Sequence, residues 1–426
     1  MAIPRRRVLA LLAMTASGLV AACGRSAAPG EAPVSTVTPA IGPEPLLEVG
    51  AILSQSGRFS REGAALRRGI ELWSTVANGS GGVRVGGTAR RVRLHLRDDE
   101  SEPLAGVRAT DRLVREQGVG LMVGPHAGAL TTATAIAGER HGALLVAPDC
   151  SEPQLYSRGL QGLVSVLPTD DRFAVSLADL SARLDPRPRP CAMLAATGAF
   201  FDAAVDGFAR KAQESGLGDV AVERFAPGSS DLAPALDRLA GRRPRSVLLL
   251  VERDDLKLAY QACAELRFSA QLRVLAARPG GELVAGDGLP AGAEGVASLA
   301  WWAPEPAAEP AFPQAGGTFS NAYREQYGVW PTARAAASAA AGLVLQLGVE
   351  AAGSDDPGAV RAAIGSLDVT TFWGRMAWDQ AGRNVAGTST VLQVQRGALV
   401  PVYPGDTRNG RLRYPVTEWP LLGIRS

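Results

Sequence analysis

The stretch LLEVGAIL (Leu46–Leu53) decides how this chain is read, together with its continuation SQSGRFSREG (54–63) and the apolar residues Leu66, Ile70, Trp73 and Val76–Ala77. Eight residues with almost no polar break describe a strand buried on both faces. A polar loop and a helical apolar spacing come next, so the unit is strand, loop, helix. It repeats. VRLHLRDD (92–99) alternates apolar and polar residues, as a half-buried strand does. A helix is expected from about Pro103 to Gln117, with proline in its tolerated first turn. VGLMVG (119–124) and ALLVAP (143–148) are further buried strands on either side of a helix. Such alternation predicts an α/β parallel sheet.

The pattern then restarts with CAMLAA (191–196), a helix near 202–215, VAVERF (220–225), the helical DLAPALDRLAGRRP, SVLLLV (246–251), the helical LKLAYQACAEL and LRVLAA (272–277). Two similar α/β units are therefore expected. A long helical stretch at about 316–350 precedes a β-like end from Phe372 to Pro404. About 380 residues is large for one hydrophobic core, which also favours two lobes.

The amino terminus reads as an address. Arg5, Arg6 and Arg7 introduce an apolar run, Val8 to Ala22, that is too short for a comfortable bilayer span. The small pair Ala21-Ala22 followed by Cys23 resembles the bacterial lipoprotein signal. That resemblance implies cleavage before Cys23 and a lipid on it, with residues 1–22 as signal peptide. Arg5-Arg6 with Val8-Leu9 also fits twin-arginine export, so the export route stays open. Residues 23–45 are rich in Pro, Ala, Gly and Ser and read as a disordered tether. The expected location is the cell envelope outside the cytoplasm.

Charge excludes one partner class. Without the three leading arginines, 44 basic residues become 41 against 42 acidic ones, a balance of about −1. That balance leaves no nucleic-acid footprint. Three cysteines remain, Cys150, Cys191 and Cys263, without metal or redox spacing, and buried free thiols are expected. The three histidines, His95, His126 and His141, read as surface or cap residues. No HExxH, GxSxG or P-loop pattern is present, so no enzyme, metal or cofactor is expected.

Five stretches in order, GAILSQSGRFSREGAALRRGIELW, RDDESEPLAGVRATDRLV, LMVGPHAGALTTATAIAGERHGALLVAPDCSEPQL, FSNAYREQYGVWP and FWGRMAWDQAGRN, give the chain a family likeness. It resembles the type I periplasmic substrate-binding proteins of the branched-chain amino-acid (Leu/Ile/Val) class, which serve ABC importers. The resemblance covers roughly residues 46–405. It implies two doubly wound parallel-sheet lobes joined by three crossovers, closing on a ligand in the cleft. Lobe 1 would take 46–167 with 300–370, lobe 2 would take 168–299 with 371–410, and 411–426 would be a tail.

The same resemblance supplies the candidate ligand residues. GPHAGA and APDCSEP are the loops that hold carboxylate and ammonium in relatives. Gly128 falls where a serine hydroxyl is usual, Asp149 where a backbone carbonyl meets the ammonium, and Ser151 on a hydroxyl position. Turn formation at the glycine and a helix cap at Ser151 are the structural alternatives. Glu62 replaces a frequent aromatic. Phe200 replaces a tyrosine and keeps an aromatic wall; a core phenylalanine is the alternative. Glu252 ends a strand at the cleft, and Arg278 stands where amino-acid binders place an acid. Of the pair Trp301-Trp302, one would line the cleft and the other pack the hinge. Asp149, Glu62 or Glu252 remain candidates to meet an ammonium, and Arg278 suits a second carboxylate. The implied function is capture of a small polar ligand, an amino acid or related carboxylate or amide, and its delivery to an ABC transporter permease. An envelope regulatory or interaction lipoprotein on the same fold is the alternative.

Overall fold

The computed structural model describes residues 45–265, 270–277, 293–304, 310, 312, 317–404 and 411–416, the side chains of 260 and 262–265 excepted. The signal segment, Cys23, most of the tether and Arg278 lie outside the described residues.

Two sheets form within the unit Glu44–Ser426. The first contains β1 (Leu46–Leu53), β2 (Val83–Val85), β3 (Thr88–Asp98), β4 (Leu121–Val123), β5 (Leu144–Ala147) and β6 (Leu163–Ser165), in the order β2-β3-β1-β4-β5-β6. All neighbours pair in parallel except the β2–β3 hairpin. The second contains β7 (Cys191–Ala196), β8 (Val220–Phe225), β9 (Ser246–Val251), β10 (Leu272–Ala277) and β11 (Ala297–Ala300). After the hairpin of β12 (Asp368–Thr371) and β13 (Gly374–Ala377), β14 (Thr390–Gln395) and β15 (Ala398–Tyr403) complete it antiparallel. Its order is β15-β14-β11-β10-β9-β7-β8.

The apolar runs have a direct explanation in the first sheet. Leu47, Val49, Ala51 and Leu53 of β1 join one core, whereas Ile52 joins another on the opposite face. The same split separates Leu121 and Val123 from Met122, and Leu144 and Val146 from Leu145. One core is covered by α1 (Ser60–Gly79) and a late helix, the other by α2 (Pro103–Gln117) and α3 (Gly128–Glu139). A strand covered on both faces has no polar side to show, which is why alternation vanishes. β3, next to the edge, keeps half-buried positions.

The second sheet is wound the same way by α4 (Val175–Arg183), α5 (Ala199–Glu214), α6 (Ala233–Gly241) and α7 (Leu256–Glu265). The chain then returns to the first sheet as α8 (Phe319–Tyr327), α9 (Ala333–Ala352) and α10 (Pro357–Gly365). Helix α9 is long and apolar enough to cross a membrane, but it is a core helix packed on α1.

The chain crosses between the sheets three times: after β6, after β11 and before β14. These crossings are laced together. Trp378 Nε1 donates to Ser165 O (2.7 Å), Asn384 Nδ2 to Val166 O (2.8 Å) and Arg172 Nε to Gly387 O (2.8 Å). Trp302 Nε1 donates to Phe372 O (2.8 Å), and its ring stacks on Trp373. Cys150 and Cys191 are free and buried, while the Cys263 side chain is not described.

Candidate functional site

In both sheets the strand order reverses beside the first strand, at β1 between β3 and β4 and at β7 between β8 and β9. Loops at the carboxyl ends of such strands form the ligand crevice of open α/β sheets.

The loop after β1 is fixed by two carboxylates from the end of β3. Asp98 Oδ1 accepts from Gln55 N (2.9 Å) and Ser56 N (3.2 Å), and its Oδ2 from Ser56 Oγ (2.7 Å). Burial pushes the Asp98 carboxyl up, but the bonds from Ser56, Glu100 and Gln55 together hold it below its usual range. Asp99 Oδ1 accepts from Ser54 Oγ (2.6 Å), and burial raises its carboxyl. RDDES is thus a clasp for the neighbouring loop.

The loops after β4 and β5 meet at a charged node. Asp149 Oδ2 accepts from His126 Nδ1 (2.7 Å) and from Arg334 Nε (2.8 Å), the latter on the first turn of α9. The acceptor carboxylate places the imidazole proton on Nδ1. Burial would raise the Asp149 carboxyl, yet the Arg334 guanidinium and the His126 imidazole hold it far below the usual carboxylate range. Phe59 stands edge-on to His126, 4.9 Å between ring centroids, and the Arg58 guanidinium lies 4.6 Å over Phe59. Asp149 Oδ2 is therefore committed to the His126 imidazole and the Arg334 guanidinium and is no ready partner for an ammonium group.

Gly128 opens α3, and the Glu152 carboxylate rests against it. Glu152 Oε2 accepts from Cys150 Sγ (2.9 Å), whose thiol burial and the neighbouring Glu152 push up. Ser151 makes no cap: the cap position of the following 3-10 turn, Pro153–Arg158, belongs to Glu152, without a side-chain capping bond. Ser151 O instead accepts from Asp170 N (3.0 Å) at the first crossing. Glu62 is half-buried in the first turn of α1, with no hydrogen bond or ion pair among the described residues.

From the second sheet, Phe200 lies in the first turn of α5 and is only 7% exposed. It stands edge-on to Phe173 (5.2 Å) and Phe201 (5.2 Å), and Phe173 is edge-on to Trp301 (5.1 Å). Phe200 is thus packed in an aromatic cluster rather than standing as an open wall. Trp301 is 4% exposed and its Nε1 has no acceptor among the described residues. Trp302 packs among the crossings. Glu252 directly succeeds β9, half-buried, and its carbonyl accepts from Asp255 N (3.1 Å).

Ser151, Asp170, Phe173, Phe200 and Trp301 form one connected path across the first crossing. The geometry draws Gly128, Asp149 and Ser151 together in the loops of the first sheet, whereas Glu62 and Glu252 are placed by other elements, the first turn of α1 and the end of β9. A surface cavity of about 920 Å³ lies elsewhere, at the amino-terminal side of β5 near Arg361 and Trp378, and none of the expected site residues lines it.

Sequence reasoning missed His126, Glu152 and Arg334. A signal for Arg334 is present: it is the lone charge between 333 and 349 of an alanine-rich helix, and a buried charge requires a partner. Glu152 and Gly128 carry no local mark of their pairing.

Residues 47–398 match the family described as periplasmic binding protein. The Leu/Ile/Val-binding protein BraC3 of Rhizobium johnstonii is 25% identical over 373 residues, 83% of this chain and 93% of that protein. Leu/Ile/Val-binding protein homolog 3 of Brucella melitensis is 24% identical over 193 residues, 45% of this chain and about half (51%) of the relative. The crystal structure of an ABC transporter substrate-binding protein from Desulfitobacterium hafniense in complex with Leu superposes with a TM-score of 0.65 at 17% identity, covering 83% of this chain and 99% of that one.

Proposed function

We propose, from the premise that this chain belongs to the periplasmic binding protein family, that it is an extracytoplasmic solute-binding lipoprotein. It captures a small polar ligand, an amino acid or a related carboxylate or amide, between its two lobes and hands it to an ABC importer. Lobe 1 comprises 46–167 with 300–370 and lobe 2 comprises 168–299 with 371–410. Gly128, Asp149 and Ser151 lie on one side of the ligand, with Phe200, Glu252, Arg278 and Trp301 on the other and Glu62 at the rim. The observation that carries this reading is the pair of doubly wound sheets, each with its switch point, joined by three laced crossings. A few linked crossings are what a hinge needs, because small backbone changes there move whole lobes. Binding turns into closure only through contacts made to both lobes.

The test is a thermal-shift screen with amino acids, dicarboxylates, aromatic acids, amides and amines. A ligand at 100 times its Kd adds about 2.7 kcal/mol of stability. A hit that also contracts the protein in solution scattering supports the reading. No shift with any compound sinks it and favours an envelope interaction protein. Separately, Cys23→Ser is expected to remove a lipid-sized mass from residue 23 and to leave residues 1–22 uncleaved, as mass spectrometry of the amino terminus reads. A parent protein whose amino terminus carries no such mass on Cys23 refutes the anchor.

A further inference from the structure

One flank of the first sheet gathers arginines. The β1–β3 register sets Arg91, Arg93 and Arg97 opposite Leu46, Glu48 and Ile52, so they share the face of Ile52, which α2 and α3 cover. Arg84 joins them: it pairs with Ala89 at the sheet edge, while Val83 and Val85 turn to the other core. On α2, Ala105, Ala109 and Leu113 are buried, whereas Leu104, Arg108, Arg112 and Arg115 form an exposed row at helical spacing. A Cβ on Gly106 would come within 3.1 Å of Thr134 Oγ1 on α3, and Asp111 reaches His141 beyond α3 (2.8 Å). Arg108 and Arg112 therefore stand on the other flank of α2, toward β3. Acids do not neutralise this surface. Glu48 is divided between Arg93 (3.3 Å) and His95 (2.6 Å), which leaves Glu116 on the flank and Glu102 ahead of α2. Arg84, Arg108, Arg112 and Arg115 have no carboxylate partner among the described residues. The mature chain is close to neutral, so this is a local concentration of charge.

We propose that this flank rests on an anionic lipid surface, that of the membrane holding Cys23, and the inference rests on the anchor proposed above. Leu104 opens the arginine row at 73% exposure, the most exposed large apolar side chain among the described residues. An apolar residue beside basic ones suits the headgroup boundary of a bilayer. The chain also enters the body at this flank, since Leu46 starts β1 opposite Arg91. Residues 23–45 can span at most about 80 Å, so a lipid on Cys23 holds the flank within reach of the bilayer. Contact is then intramolecular, and a weak surface suffices. Each basic side chain near an anionic bilayer adds about fivefold to binding. The candidate ligand loops leave the strand ends and not this flank, so the contact leaves them open.

The experiment sediments the chain from residue 24, which keeps the whole described body, with vesicles of phosphatidylcholine alone or with about one third phosphatidylglycerol. The parent is expected to bind the phosphatidylglycerol vesicles, to ignore the neutral ones and to be released by about 0.5 M salt. Arg108→Glu with Arg112→Glu weakens binding at least tenfold, while Arg108→Lys with Arg112→Lys stays within about threefold. Arg187→Glu with Arg242→Glu, at exposed positions of the second sheet's half, makes the same change in net charge and also stays within about threefold. A parent that ignores phosphatidylglycerol overturns the inference. So does equal loss from both reversals, which would make the attraction general. Binding to polyglutamate but not to vesicles overturns the membrane and points to an acidic protein. The anchor fails separately, on the mass of Cys23, and the solute-binding function fails on the thermal-shift screen.

Discussion

Replacing Arg334 with methionine is expected to destabilise the protein by about 3 kcal/mol at pH 7, the lower end of what breaking a buried ion pair costs. The Asp149 side chain is 13% exposed and that of Arg334 is 20% exposed, so water cannot compensate the abandoned carboxylate. His126 remains 2.7 Å away and keeps the loss from growing larger. The pH dependence has a definite sign. The folded-state carboxyl of Asp149 is depressed, against about 3.9 in the unfolded chain. Its contribution is therefore complete above about pH 4 and is lost as the pH falls through the depressed value. The gap between parent and variant should be full at pH 6–7 and narrow below about pH 4. Urea unfolding at several pH values measures it. A gap below 1 kcal/mol at pH 7, or one that widens in acid, refutes the node as drawn. The double variant Arg334→Met with Asp149→Asn should recover much of the loss, because the penalty lies in the orphaned charge more than in the missing pair.

The same node shows where sequence reading stops. LLEVGAIL announces itself because both faces of β1 are covered, so its eight residues fit one explanation. Pro103 to Gln117 is legible because a proline opens the helix and Gly118 closes it in the left-handed conformation. Loops have no such period. Asp149 is marked by its place after a buried strand, but its partner lies 185 residues away on another crossing of the chain. The pairing of Gly128 with Glu152 is likewise a fact of two loop ends meeting, not of either stretch. Phe200 reads as a wall in the sequence because it comes soon after a strand; the aromatic edges that enclose it belong to its own neighbour Phe201 and to Phe173, which stands before α4. Periodicity reports burial of an element, whereas a site is a coincidence of loop ends.

Trp73→Ala is expected to be the most damaging single substitution in the first sheet's half of the molecule. The ring is 1% exposed on α1 and lies against Gly342 of α9, where a Cβ would come within 2.3 Å of Cδ2. Its Nε1 donates to Gln346 Oε1 (3.1 Å), one helical turn further along α9. Truncation empties a cavity, at about 3–5 kcal/mol. It also leaves Gln346 Oε1 without its donor in a buried place, at about 1–3 kcal/mol more. A total of about 4–8 kcal/mol approaches the whole stability of many domains. At 2–4 °C per kcal/mol for a body of this size, the midpoint should fall by roughly 10 °C or more. The effect reaches the candidate site because α9 also carries Arg334, so loosening the α1–α9 seam loosens the anchor of Asp149. Calorimetry on Trp73→Ala and Trp73→Phe separates the terms: phenylalanine keeps most of the packing and loses only the donor. If Trp73→Ala melts within a few degrees of the parent, this ring is not what holds the α1–α9 seam, and the close backbone approach of Gly69 to Ala335 is the next part of it to test.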